Sequence, residues 1–275
     1  MPVKKSPTVF AMACHPDDIE FMMGGTLYLL KAAGCTLHYM NLANGCCGST
    51  EMSREETARV RRKEGQEAAQ MVGAVFYESI ANDVEVFYCP ELIRKAAAVV
   101  RRIRPDIMLL PSPEDYMEDH MNTCRIGVTA AFIRCVPSYP SDPPEEATYQ
   151  DVVLYHALPY GLRDGLRTPV VPDFTVDITS VIDDKERMLA CHKSQKKWLD
   201  ETQGLDSYLK TMRDMSAEVA ASAGGGAAAG AAAGSGAAAG GYAEGWRRHS
   251  HLGFSASEID PLFEILKPYC TVRGE

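Results

Sequence analysis

Several features that would assign this chain to other classes of protein are missing. It has no run of about 18 apolar residues, so no membrane span is predicted, and the short apolar stretch after the N-terminus is too brief for a signal-peptide core. Basic side chains number only 28 against 37 acidic ones, and the net charge of −9 argues against nucleic acid as a partner. We therefore expect a cytoplasmic protein that does not bind nucleic acid.

No Cys-x-x-Cys pair occurs among the nine cysteines, whose number is odd and whose spacing is irregular. This pattern is typical of reduced thiols in a cytosolic enzyme rather than of a disulfide framework. Cys46 and Cys47 are adjacent, which does not match the usual zinc or redox spacing. A reactive thiol in a loop stays open as an interpretation of this pair.

Apolar segments of strand length alternate with segments of helical periodicity along the chain. The alternation predicts strands at 8–13, 36–43, 74–80 and 106–110, and helices at 24–33, 53–72, 90–104 and 122–135. A capping box of Ser53 and Glu56 begins the second helix, and Gly73 ends it. Two further strands, 152–158 and 174–178, and a helix over 180–197 follow. We expect a doubly wound, Rossmann-like α/β fold, with a mostly parallel sheet and helices on both faces.

The length of 275 residues suits one large α/β unit, so we expect a single domain over 1–275. The segment 220–241 consists only of alanine, glycine and serine. It has no large side chains to bury, which predicts a flexible or non-native segment, and we infer no function from it. The basic run 59–63 lies among glutamates and is interpreted as the solvated face of a helix.

The strongest local pattern is a polar cluster directly after the first predicted strand. It consists of His15, Pro16, Asp17, Asp18, Ile19 and Glu20, with Gly24 and Gly25 close behind. In open α/β sheets, ligands bind at the carboxyl ends of the strands, and buried charges require a partner or a metal. Imidazole and carboxylate together suit a first-row divalent metal. The cluster therefore predicts part of a metal site.

A second polar loop, 111–120, follows the fourth predicted strand and ends in Asp119 and His120. By itself, an acidic loop that ends in histidine is more often a turn and a helix cap. In the common strand order 3-2-1-4-5, however, strands one and four are neighbours, and their ends flank the ligand-binding crevice. We expect the two loops to face one another, and three protein ligands with an open fourth position are typical of catalytic zinc.

The first cluster, followed by Gly24, Gly25 and Thr26, resembles the signature of the PIG-L/LmbE family of zinc-dependent N-deacetylases. Asp119 and His120 resemble the end of the second motif of that family, usually His-Pro-Asp-His. Later positions also fit the family pattern: Lys185, His192, Ser194, Gln195, Tyr242, Ala243 and Glu244. The resemblance covers nearly the whole chain except the Ala/Gly segment.

This resemblance implies that His15, Asp18 and His120 bind Zn²⁺, with another divalent metal left open, and that Asp17 is the general base. It implies that Asp119 orients a ligand or a neighbouring catalytic group. The implied substrate is a small-molecule N-acetylated sugar or related amide, such as an N-acetylglucosamine derivative. The implied reaction is removal of the acetyl group by metal-activated water. A homo-oligomer is compatible with the sequence, which does not fix the oligomeric state.

One position departs from the family pattern. Met117 stands where the family usually has the first histidine of its second motif, which in relatives is thought to stabilise the oxyanion. Methionine cannot donate a hydrogen bond. The candidate replacements are His192, Arg54 and Tyr116, unless the metal acts alone. Arg54 could also bind a substrate group or form an ion pair at the start of its helix.

Two other functions stay open from the residues alone. Two histidines and one aspartate also form the metal-binding triad of non-haem iron oxygenases, although such triads usually lie on all-β barrels. Alternatively, the protein uses the crevice to bind a ligand without catalysis. The absence of Gly-x-Gly-x-x-Gly after the first strand disfavours a dinucleotide as that ligand.

Overall fold

The computed structural model describes residues 6–195, 208–223, 241–256 and 258–272. Within these residues the chain forms an eight-stranded sheet with helices on both faces. The strands are β1 (Thr8–Ala13), β2 (Thr36–Asn41), β3 (Val75–Tyr77), β4 (Ile107–Leu110), β5 (Val153–Ala157), β6 (Phe174–Asp177), β7 (Ala243–Arg248) and β8 (Cys270–Val272). The helices are α1 (Asp18–Ala32), α2 (Arg54–Met71), α3 (Pro90–Ile103), α4 (Glu118–Phe132), α5 (Ile182–Leu189), α6 (Tyr208–Ala223) and α7 (Pro261–Leu266). None of the helices in the described ranges is both long and apolar enough to cross a membrane.

The strand order is β3-β2-β1-β4-β5-β7-β6-β8. The first five strands of this order pair in parallel, with β1 between β2 and β4. The predicted α/β fold is confirmed, including the order of strands one to five. β7, β6 and β8 extend the sheet through antiparallel pairs, so the sheet as a whole is mixed.

Both faces of β1 are buried, as its continuous apolar run predicts. Val9, Ala11 and Ala13 belong to the core that α1, α2, α5 and α6 cover. Phe10 and Met12 belong to the core on the other face, which α3 and α4 cover. Because both faces of the sheet are closed in this way, polar side chains gather at the strand ends.

Two helices begin several residues earlier than predicted. α1 begins at Asp18 rather than at 24, and α4 begins at Glu118 rather than at 122. Acidic side chains in a first turn are stabilised by the partial positive charge of the helix N-terminus, so these polar motifs favour helix where loops were expected. As a result, Asp18 and His120 are held by helical turns and not by loops.

The limits of α2 agree with the prediction. Ser53 is its N-cap, and the Ser53 hydroxyl accepts a hydrogen bond from the backbone N–H of Glu56 at 3.2 Å. The helix ends at Met71, and Gly73 follows with a positive φ of 68°. The Ser53 N-cap and the glycine stop are thus confirmed, whereas of the two hydrogen bonds of a capping box only the one accepted by Ser53 is recorded.

The helix predicted over 180–197 is shorter, since α5 ends at Leu189. Beyond that end, the backbone N–H and the hydroxyl of Ser194 donate to the carboxylate of Glu64 at 2.9 and 2.6 Å. Residues 196 and 197 lie outside the described residues. In the Ala/Gly segment, 220–223 are the last residues of α6 and 241 precedes β7, whereas 224–240 lie outside the described residues.

A buried ion pair connects α1, α5 and β7. Lys185 Nζ lies 2.8 Å from Glu244 Oε1, and the two side chains are 1 % and 2 % exposed. Glu244 also accepts hydrogen bonds from the backbone N–H groups of Gly25 and Thr26, at 2.8 and 2.7 Å. A Cβ atom on Gly25 would lie 2.6 Å from Ile178, so the close approach requires glycine. These contacts stabilise the fold, and they involve four positions that fit the family pattern: Gly25, Thr26, Lys185 and Glu244.

We predict that Glu244→Gln lowers the free energy of unfolding by about 3–5 kcal/mol, because it leaves the Lys185 ammonium buried without its counter-charge. Glu91→Gln, which removes an exposed pair with Lys95, is the matched control and should leave the unfolding midpoint unchanged. Urea unfolding followed by circular dichroism measures both midpoints. Equal midpoints for the two variants would contradict a structural role for the buried pair.

Candidate active site

The junction between β1 and α1 carries the first polar motif. His15 follows the strand, and its backbone N–H donates to Asp18 Oδ2 at 2.7 Å. Asp17 is the N-cap of α1 and has a φ of 117°, a conformation that costs free energy in any residue with a side chain. Such backbone strain clusters at functional sites, where the surrounding structure holds it in place.

His120, in the first turn of α4, lies against His15 and Asp18. Its Nε2 is 3.2 Å from His15 Nδ1 and 3.4 Å from Asp18 Oδ2, and the latter two atoms are 3.6 Å apart. Ligand atoms at zinc-binding distances in a tetrahedron are separated by about 3.3–3.5 Å. The three atoms therefore have the spacing of three corners of a tetrahedral metal site, and the two polar motifs meet as expected.

The other ring nitrogen of each histidine lies beside a carboxylate. His15 Nε2 is 3.3 Å from Asp119 Oδ2, and His120 Nδ1 is 3.0 Å from Asp115 Oδ1. Asp119 also accepts a hydrogen bond from the backbone N–H of Val84 at 2.6 Å. Histidines that bind metals are commonly oriented in this way. Asp119 lies beside His15, one of the residues that the sequence predicts as metal ligands. Asp115 was not predicted, although its position in the acidic loop five residues before His120 could have indicated it.

Asp17 lies in the same cleft, with its carboxylate held from two sides. Tyr208 is the first residue of α6, and its hydroxyl donates a hydrogen bond to Asp17 Oδ2 at 2.7 Å. Arg61 Nη2 lies 3.5 Å from Asp17 Oδ1. Tyr208 carries no motif in the sequence and was missed.

The interpretation of 59–63 as a solvated helix face is wrong for Arg61. Its side chain is 3 % exposed and donates to the backbone carbonyls of Gly45 and Pro16, at 3.2 and 2.5 Å. Arg59, Arg62 and Lys63 are at least half exposed and pair with glutamates as expected. Arg61 thus points inward, although the alternation of basic and acidic residues along the helix gives no sign of this.

The two adjacent aspartates have different pKa values, because their buried carboxylates face different charges. Burial raises the pKa of Asp17 to about 6, although the Arg61 guanidinium opposes the change. Burial acts in the same direction on Asp18, but the imidazoles of His120 and His15 hold the pKa of Asp18 well below its usual value. Asp18 therefore keeps the charge that a metal ligand requires, while Asp17 has a pKa suited to taking up and returning a proton.

These polar groups open into a cleft of about 390 Å³. Its other walls are largely apolar and aromatic, and include Phe21, Met117, Leu158, Tyr160 and Tyr208. An apolar cleft with a few convergent polar groups is typical of a binding site for small molecules.

Residues 10–131 match the family model described as PIG-L: GlcNAc-PI de-N-acetylase. The match covers 122 of the 275 residues, and over this segment the chain is similar to that family. The matched segment runs from β1 into α4 and contains His15, Asp17, Asp18 and His120. The resemblance that the two motifs predict is thus confirmed.

Proteins that are similar to this chain include a deacetylase and a hydratase. The diacetylchitobiose deacetylase of Thermococcus kodakarensis is 27% identical over 194 residues, which cover 68% of this chain and 69% of that protein. The 4-oxalmesaconate hydratase of Pseudomonas putida is 25% identical over 197 residues, 69% of this chain and 74% of that protein. A crystal structure of the N,N'-diacetylchitobiose deacetylase of Pyrococcus horikoshii has the same fold, with a TM-score of 0.69 and 22% identity over 95% of this chain and 90% of that one.

The position that departs from the PIG-L family pattern lies in the cleft. Met117 is the N-cap of α4, and its backbone N–H donates to Asp115 Oδ1 at 2.9 Å. Tyr116, one of the predicted replacement donors, also lines the cleft and packs edge-on against the His120 ring, with centroids 5.7 Å apart.

The other two predicted donors are not among the residues that line the cleft. His192 is fully buried, and its Nε2 lies 3.3 Å from Glu20 Oε1. Arg54 is half exposed and pairs with Glu85 at 2.8 Å. Neither residue is therefore placed to contact a molecule bound in this cleft.

We predict that Asp115→Asn lowers the affinity for a divalent metal by about 10- to 100-fold, because it weakens the contact that orients His120. Glu114→Gln changes the exposed neighbouring carboxylate and is the matched control, with unchanged affinity expected. Competition with a chromophoric zinc chelator measures both affinities. Equal affinities for the two variants would argue against a metal at His120.

Proposed function

We propose that this protein is a metal-dependent N-deacetylase that hydrolyses the acetamide of an amino-sugar-like small molecule. The observation that carries the proposal is the metal-like spacing of donor atoms on His15, Asp18 and His120, in one cleft with the strained Asp17. The relation to a diacetylchitobiose deacetylase supports a sugar amide as the substrate class.

Zinc is the metal that we propose for this site. Two imidazole nitrogens and one carboxylate oxygen suit Zn²⁺, and a carboxylate beside the other nitrogen of each ring supports the assignment. When bound, the ion polarises the amide carbonyl and lowers the pKa of water towards ~7. Other divalent ions that prefer nitrogen and oxygen ligands fit the same donor set.

Asp17 is the residue that we propose as general base. Its carboxylate takes the proton of the attacking water and later returns a proton to the nitrogen of the leaving amine. Tyr208 and Arg61 contact different oxygens of this carboxylate, so they fix its orientation in the cleft. A base that is fixed before the substrate binds does not have to be ordered during the reaction.

The developing negative charge on the amide oxygen needs a donor besides the metal, since the Met117 thioether provides none. Tyr116 is the predicted donor that lines the cleft, and we propose it for this role. A lost oxyanion donor typically costs about 3–4 kcal/mol of transition-state stabilisation. Its position against the His120 ring keeps Tyr116 beside the reacting centre.

Hydration of a carbon–carbon double bond is a second candidate function. The observation that favours it is the 25% identity to a 4-oxalmesaconate hydratase. Both reactions add water to an electrophilic carbon, so the same metal and base suit either one. The difference lies in the product, because only deacetylation releases acetate and a free amine.

We expect acetate release from at least one N-acetylglucosamine derivative, and loss of that release when a chelator removes the metal. A coupled assay for acetate across N-acetylated sugars, with and without chelator, is the measurement. Restoration by added Zn²⁺ completes the test. Hydration of a carboxylated dienoate without acetate release from any sugar would favour the second candidate.

We predict that Asp17→Asn lowers the turnover number by about 10²- to 10⁴-fold, because the amide cannot accept the proton of water. Metal content measured by mass spectrometry should stay at the wild-type level, since Asp17 is not a proposed ligand. Asp214→Asn, at an exposed pair on α6, is the control for a general effect of removing a carboxylate. Full activity in Asp17→Asn would rule out Asp17 as the base.

A further inference from the structure

Two adjacent thiols lie side by side in the turn that follows β2. The backbone N–H of Gly48 donates to the carbonyl of Gly45 at 3.2 Å, so Cys46 and Cys47 occupy the two central positions of the turn. Gly45 has a φ of 73°, which favours glycine at the start of the turn. The two Sγ atoms are 3.9 Å apart. The turn therefore presents two reduced thiols on the same side.

Asp83 closes this group from the neighbouring loop. Its Oδ1 accepts from the backbone N–H of Gly45 at 2.7 Å, and its Oδ2 accepts from that of Cys47 at 3.0 Å. The carboxylate is 5 % exposed, and ligand atoms of Cys46, Cys47 and Asp83 all lie within 4.8 Å of one another. A buried carboxylate thus faces two thiols at distances that a single ion can bridge.

We propose that Cys46, Cys47 and Asp83 form a second cation site, which binds a thiophilic divalent ion such as Zn²⁺ or Cd²⁺. Two sulfur ligands at the zinc–sulfur distance of 2.3 Å are about 3.8 Å apart in a tetrahedron, close to the spacing of the two Sγ atoms. Soft thiolates select such ions over Mg²⁺ or Ca²⁺. On binding, each thiol releases its proton to solvent.

The charges around the group suit the bound ion. Two thiolates and one carboxylate with a divalent cation carry a net charge of −1. Arg61 Nη1 lies 3.9 Å from Asp83 Oδ2 and compensates that charge. Cys47 is exposed, which leaves a fourth ligand position open to water or to a small molecule.

This second site shares a wall with the cleft described above. Cys47, Gly48 and Asp83 line the cleft, and Asp83 Oδ1 is 3.9 Å from His15 Nε2. The direct signature of an ion at this second site is its ligation by the two thiolates. That signature is independent of any catalytic activity.

The test uses the full chain under a non-thiol reductant, dialysed against Cd²⁺ and analysed for bound metal and for the ultraviolet thiolate–cadmium charge-transfer band. We expect two ions per wild-type chain together with the band. Cys46→Ser and Cys47→Ser should each lose one ion and, with it, the charge-transfer band. Cys135→Ser, which removes a thiol on the 3-10 turn after α4, is the matched control and should keep both.

His120→Ala separates this proposal from the proposed function. If both are correct, it loses the other ion and keeps the whole charge-transfer band. An unchanged ion count in His120→Ala, with loss in the cysteine variants, would overturn only the metal assignment at His15, Asp18 and His120. A band that persists in both Cys46→Ser and Cys47→Ser, or its absence in the wild type, would overturn the second site.

Discussion

Carboxylates that leave water must find positive charge or hydrogen-bond donors, and this requirement governs the carboxyl edge of the sheet. Five aspartates gather there: Asp17, Asp18, Asp83, Asp115 and Asp119. The negative charge of these carboxylates is stabilised by imidazoles, by the Arg61 guanidinium and by backbone N–H groups. The proposed metal would add two positive charges between His15, Asp18 and His120. The local structure, including the strained backbone of Asp17, is arranged around this concentration of negative charge.

The fold brings residues that are far apart in the sequence close together at that edge of the sheet. β1 and β4 are neighbours in the sheet, so the loops that leave them meet although about a hundred residues separate them. Burial of both faces of β1 prevents these strands from shifting, and helical turns hold Asp18 and His120. A hydrolase and a hydratase among the relatives are consistent with one scaffold that serves different additions of water.

Much of this arrangement could be predicted from the sequence, because it depends on local patterns. Apolar periodicity predicts the first strands, and the common strand order of doubly wound folds predicts how they are arranged. Polar residues directly after β1 and β4 predict the site. The inward direction of Arg61 could not be predicted, since the periodicity of a charged helix does not identify which residue faces a neighbouring loop. Tyr208 could not be predicted either, because its contact with Asp17 spans 191 residues and has no local pattern. The starts of α1 and α4 were misplaced because polar motifs were treated as loops.

The position of β7 has a consequence for synthesis on the ribosome. β7 lies between β5 and β6, yet it is translated after both. Until residues 243–248 have left the exit tunnel, the β5 and β6 edges lack the strand that joins them, and Glu244 has not reached Lys185. The parallel part of the sheet can form early, whereas the nascent chain acquires its complete sheet only after residues 243–272 have been translated. Unpaired strand edges attract other strands, so this interval is when the chain depends most on protection from aggregation.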